Sequence, residues 1–146
     1  MSGKPRVLVV DDDRAIRVLV GKVVERAGFP VDTVADGAEA IEKIRTTHYA
    51  VCVIDLMMPN VNGYDIVDFI AEHCGADRPS VIVITAVADS SAIVRLDGRI
   101  VHSVVRKPFD ISVLADLITA TAASAEAERE DEDRGDGRIV PFPIVR

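Results

Sequence analysis

The chain has no tryptophan, and its two tyrosines and four phenylalanines are spread thinly over 146 residues. Acids outnumber bases enough to leave a formal charge of -7. Few aromatics and an acidic balance exclude a surface built to stack bases or follow a phosphate backbone, so no direct contact with nucleic acid is expected. There are two cysteines, Cys52 and Cys74, with neither metal-ligand spacing nor a framework of bridges around them. Cys52 lies inside the apolar run AVCVI and reads as a small buried thiol. No apolar run approaches the roughly 20 residues of a membrane-spanning helix. The first residues, MSGKPR, lead only into a strand-length run, so no signal peptide is expected and the protein should be soluble and cytoplasmic. The length suits one domain around one core.

What the sequence does contain is β-branched. Five short runs, RVLVV, PVDTV, AVCVI, SVIVI and IVHSVV, are rich in Val and Ile and mostly unbroken, as strands buried on both faces should be. Helix-length segments separate them. The first carries a stripe of Ile16, Leu19, Val20, Val23 and Val24 and stops near Gly28. The second starts at about Asp36-Gly37 and places Ala40, Ile41 and Ile44 on one face; the third opens at Gly63 with Ile66, Val67 and Ile70. The last carries Val113, Leu114, Leu117, Ile118 and Thr121. The interval DSSAIVRLDGRI is weaker, with Gly98 close to its expected end, and predicts a short or mobile helix. Strands alternating with helices imply an α/β fold with a parallel sheet covered on both faces. In such a sheet, ligands bind beyond the carboxyl ends of the strands.

The residues that close the strands are therefore the ones to compare. The first run ends in Asp11, Asp12 and Asp13, the third in Asp55, the fourth in Thr85, and the fifth in Lys107. A parallel sheet brings these to one edge. Several carboxylates at one place repel each other unless a cation sits among them, and a pocket of hard oxygens suits Mg²⁺. Asp13 is the expected N-cap of the first helix. Gly63 is expected to permit a tight turn as the third helix opens.

Taken together, the acidic run DDD, the segment DLMMPNVNG around Asp55, Thr85-Ala86, and Lys107-Pro108-Phe109 resemble the receiver domain of bacterial response regulators over about residues 5–125. The resemblance implies a flavodoxin-like, doubly wound (βα)5 fold with five parallel strands in the order 2-1-3-4-5. It implies that Asp55 accepts a phosphoryl group. Asp11, Asp12 and Asp55, with the backbone carbonyl of Met57, would hold Mg²⁺. Thr85, Ala86 and Lys107 would serve the phosphoryl oxygens, and the Lys107–Pro108 bond would be cis. The donor would be a phosphohistidine on a sensor histidine kinase or a histidine phosphotransfer protein. Output would pass by contact to a downstream protein or a second copy, with no separate enzymatic domain.

The match has departures. The position three residues before the lysine, usually aromatic in that family, is Val104, so the response is expected to run through the weak fourth helix. Met57 and Val87 are both apolar where attacking water would pass, which predicts slow self-dephosphorylation. Residues 126–138 hold seven acids and three arginines and read as a solvated linker or helix extension. Residues 139–146, IVPFPIVR, are apolar again, and their prolines exclude a helix or a central strand. This tail is expected either to dangle or to dock on this molecule, a second copy or a partner.

Two other functions fit parts of the sequence. VLVVDDDRA also resembles the first motif of haloacid-dehalogenase-type phosphatases, with Asp11 as nucleophile and Asp13 as acid. That reading offers only Asp110 and Asp116 as later acids and leaves DLMMPNVNG without a role. A receiver fold acting as a docking module that does not switch would need none of the site residues, yet all are present.

Overall fold

The computed structural model describes residues 4–86, 90–133 and 144–145. Its frame is a parallel sheet. Strands β1 (Val7–Val10), β2 (Val31–Val34), β3 (Val51–Asp55), β4 (Ser80–Thr85) and β5 (Val101–Arg106) lie in the order β2-β1-β3-β4-β5. The helices are α1 (Arg14–Arg26), α2 (Gly37–Thr46), α3 (Gly63–His73), α4 (Ser90–Val94) and α5 (Ile111–Asp133).

Alternation along each strand divides the core in two. Val7 and Val9, Val51 and Val53, Ile82 and Ile84 pack with Val20 and Val24 of α1 and Leu114 and Ile118 of α5. Their neighbours Leu8 and Val10, Cys52 and Ile54, Val81 and Val83 pack with Ala40 and Ile44 of α2 and Ile66, Val67 and Ile70 of α3. Successive side chains of a strand point to opposite faces, so a sheet covered on both needs apolar residues at every position. That is why the runs are unbroken. Cys52 is fully buried in the second layer, and burial pushes its thiol pKa up.

Local signals start the helices where the sequence suggests. Asp13 caps α1 by accepting from the Ile16 amide at 3.1 Å, and Asp36 caps α2 from the Glu39 amide at 2.8 Å. Asn62 and Asp65 form a reciprocal capping box on α3, which satisfies two otherwise unpaired amides. The helical stripes are narrower than expected: Leu19 and Val113 stay exposed at 37% and 40%. Each sits at the flank of its stripe, beyond the reach of the sheet. The fourth helix is short, at five residues.

The sheet differs from a five-stranded one in a single respect. Ile144–Val145 forms a sixth strand, β6, parallel to β5 and outside it. An edge position tolerates a segment that prolines would exclude from the centre. Helix α5 continues through Asp133 into the acidic segment. Val87 and most of the tail lie outside the described residues.

Candidate functional site at the carboxyl edge of the sheet

Register sets the site. Val10 lies beside Ile54, Ile54 beside Val83, and Val83 beside Val104. The next residues of β1 and β3, Asp11 and Asp55, therefore emerge at one level, with Thr85 and Lys107 just beyond. One carboxylate oxygen from each of Asp11, Asp12 and Asp55 lies within 4.8 Å of the others. Asp11 and Asp55 are buried at 3% and 5% exposure, while Asp12 is open to solvent.

Each buried carboxylate is held. The backbone amide of Asp13 donates to Asp11 Oδ1 at 2.9 Å, and Lys107 Nζ reaches Asp11 Oδ2 at 3.2 Å. Arg17 donates to the Asp11 carbonyl oxygen at 2.9 Å, tying the strand end to α1. Asp55 Oδ1 accepts from the Met57 amide at 3.2 Å, and Asp55 Oδ2 lies 3.5 Å from Lys107 Nζ. Lys107 thus bridges two carboxylates on different strands. Its own amide donates to the Thr85 carbonyl at 2.9 Å, which fixes the end of β5 against that of β4. The Lys107–Pro108 peptide is cis.

Three carboxylates face one ammonium, and the surplus negative charge has a measurable consequence. Burial, and then the charge of Asp11, push the Asp55 carboxyl up to about 6, against the pull of Lys107 and the Met57 amide. A buried carboxylate beside another has its charged form disfavoured. An all-oxygen cluster with uncompensated charge fits a hard divalent cation. Asp11, Asp12 and Asp55 are the carboxylates grouped closely enough to hold such an ion there; Met57, next beyond Leu56, is 60% exposed.

Of the other residues singled out in the sequence, Thr85, Ala86, Asp13 and Gly63 fall at the same edge. Thr85 is fully buried at the end of β4, and Ala86 follows it at the surface. Asp13 is spent on its helix cap. Gly63 is required by space: a Cβ there would stand 2.7 Å from Leu56 Cα and 2.8 Å from the Asp55 carbonyl oxygen. Val104 is buried in the layer formed by α2 and α3, with Leu96 and Ile100.

Two supporting residues were not evident from the sequence. Gly37 reads there only as part of a helix start, yet a Cβ at that position would run into the Val61 carbonyl oxygen in the loop after β3. Tyr64 ties the start of α3 to α4: its hydroxyl donates to the Ala92 carbonyl at 3.1 Å, and Arg95 stacks 4.1 Å above its ring. The scarcity of aromatics was the available signal, since a lone Tyr one residue after Gly63 invites a specific partner.

Known proteins resemble the chain in sequence and fold. The family model of the response regulator receiver domain matches residues 7–119. Protein PilG of Pseudomonas aeruginosa is 31% identical over 117 residues, covering 79% of this chain and 85% of that protein. Regulatory protein VanRB of Enterococcus faecalis is 30% identical over 116 residues, and there the matched part is 51% of the relative, about half its length. Among solved structures, a signal receiver domain from Vibrio parahaemolyticus superposes with a TM-score of 0.80 at 25% identity, covering 93% of this chain and 100% of that one. The chemotaxis response regulator CheY4 of Vibrio cholerae gives 0.72 at 25% identity, covering 82% and 99%. With sheet order and family model in agreement, the chain belongs to the response regulator receiver domain family.

Proposed function

We propose that the chain is the phosphoacceptor of a two-component relay and that Asp55 takes the phosphoryl group. The observation that carries this reading is the pairing of Lys107 with both Asp11 and Asp55, inside a cluster of three carboxylates at the one sheet edge. A carboxylate attacking a phosphoryl group must overcome the repulsion of two anions, so catalysis lies in positioning and in neutralising charge. Mg²⁺ held by Asp11, Asp12, Asp55 and the Met57 carbonyl would supply most of that neutralisation. Lys107 contributes a further positive charge beside the transferring oxygens. The Met57 amide fixes Asp55 Oδ1, which aims the carboxylate. Thr85 and the Ala86 amide bind phosphoryl oxygens.

Atoms balance simply. A bond forms between an Asp55 oxygen and phosphorus as the N–P bond of the donor phosphohistidine breaks; the electron pair leaves on the imidazole nitrogen, which takes up a proton. The product is an acyl phosphate on Asp55. The donor is a sensor histidine kinase or a histidine phosphotransfer protein, and the phosphorylated face then binds a downstream protein.

The test is intact mass after incubation with Mg²⁺ and acetyl phosphate. Wild type should gain one phosphoryl group and Asp55→Asn none. An adduct that persists in Asp55→Asn would move the nucleophile elsewhere, Asp11 first.

A further inference from the structure

The two outermost strands of the five-stranded sheet are built differently. β2 is short and partly exposed, and it carries Asp32, which pairs with Arg6 at 3.4 Å and accepts from the Tyr49 hydroxyl at 2.7 Å. Charged residues and shortness are ordinary ways of keeping an edge from pairing with other chains. β5 has neither. From Val101 to Val105 it contains no acid, lysine or proline, and it is longer, at six residues. Left open, such an edge would be a template for any extended segment. It is not left open: Ile144 lies beside Val104 and Val145 beside Val105, in parallel register.

We infer that the β5 edge is a strand-acceptor site and that the chain carries the ligand for it, the Ile144–Val145 strand, seated in cis. The ligand chemistry is that of an extended, β-branched peptide, recognised through main-chain hydrogen bonds. IVPFPIVR suits this role. Its prolines disfavour helix, and its last apolar pair is free of them. Ten residues, 134–143, separate the end of α5 from β6. At about 3.3 Å per residue they can reach roughly 33 Å, comparable with the roughly 35 Å length of the 23-residue α5 that the tail must run back along. Such a tether gives the tail an effective concentration of order millimolar, so two residues of pairing suffice to exclude weak competitors. The inference does not rest on phosphoryl transfer.

The experiment compares the full chain with its Ile144→Pro/Val145→Pro variant, in which β6 loses both amide donors. In wild type, amide exchange at Val104 and Arg106, whose amides face away from β4, should be slow; in the variant it should quicken by roughly tenfold, the effect of about 1.4 kcal/mol, while that at Val105, which faces β4, stays unchanged. The synthetic peptide IVPFPIVR, titrated by NMR, should shift β5 amides in the variant at millimolar concentration and leave wild type unmoved. Equal exchange rates, or peptide shifts that are equal or missing in both proteins, would overturn the inference. So would a wild-type dimer in sedimentation velocity that the variant lacks, since the tail would then sit on a second copy.

Discussion

The carboxyl and amino ends of the same sheet are put to opposite uses. At the carboxyl end, two buried acids share one lysine beside an exposed third acid, and burial with like charge lifts Asp55 to about 6. At the amino end polar groups are matched. Tyr49, 2% exposed, donates at 2.7 Å to Asp32, which also pairs with Arg6. A groove of about 490 Å³ beside it is lined by Ile44, Tyr49, Phe69, His73 and Cys74, among others, and no cluster of metal-ligating side chains forms there among the described residues. Of these two groups, the surplus charge lies in the one at the carboxyl ends of the strands. Sites that act on a charged partner hold unfavourable charge until it arrives.

Removing the shared cation should have the largest effect. Lys107→Met leaves Asp11 and Asp55 facing each other without the ammonium. The rate of labelling by acetyl phosphate is expected to fall about a hundredfold or more, the usual loss when one electrostatic stabiliser is deleted. Time-resolved intact mass measures it. A rate within a few-fold of wild type would take Lys107 out of the chemistry and undo the contrast between the two ends.

Gly63→Ala tests how tightly the site is tied to the fold. Its Cβ would press on Leu56 Cα and the Asp55 carbonyl oxygen, both backbone atoms that cannot swing away. Overpacking of this kind costs about 1–3 kcal/mol, and because the strain falls on Asp55 itself, labelling should slow as well. Chemical denaturation and labelling on the same sample would show both. A loss of stability with normal labelling would mean that the loop yields without moving Asp55.

A third test reads the surplus charge directly through pH. Without Mg²⁺, Asp55 in the folded chain titrates at about 6, above the roughly 3.9 of an unfolded aspartate. Between these values the folded state holds the proton and the unfolded state does not. Stability should therefore fall as pH rises from about 4 to about 6 and then level off, by some 2–3 kcal/mol from this group. Asp55→Asn should remove that slope and be the more stable protein at neutral pH without metal. Adding Mg²⁺ should narrow the gap by stabilising wild type. Urea denaturation across pH measures all three. An Asp55→Asn protein less stable than wild type at neutral pH would mean the carboxylate is well satisfied as it stands.

How much of this was legible beforehand depended on whether one residue type carried one message. Unbroken Val and Ile runs can be little but buried strands, so the five strands were plain. Once the sheet was parallel, the meeting of Asp11, Asp12, Asp55, Thr85 and Lys107 at one edge followed from topology. β6 left no such trace: two residues after two prolines have no periodicity, and only the open edge of β5 gives them a partner. Gly37 was opaque because its constraint comes from Val61, a loop residue distant in sequence. The stripes on α1 and α5 looked wider than the buried faces because periodicity marks a side of a helix without saying how far the sheet reaches around it.

The smallest effect belongs to the amino end and completes the contrast. Tyr49→Phe keeps the buried ring and deletes only the hydroxyl that donates to Asp32. Asp32 keeps Arg6 beside it and is partly exposed, so water can take over the lost bond. The expected cost is about 1 kcal/mol, near that of an ordinary hydrogen bond, seen as a shift in denaturation midpoint with unchanged slope. Acetyl phosphate labelling should be unaffected, because Tyr49 lies before β3 and Asp55 at its far end. Slower labelling in Tyr49→Phe would show that β3 transmits strain along its length, and the two ends would then have to be treated as one coupled system.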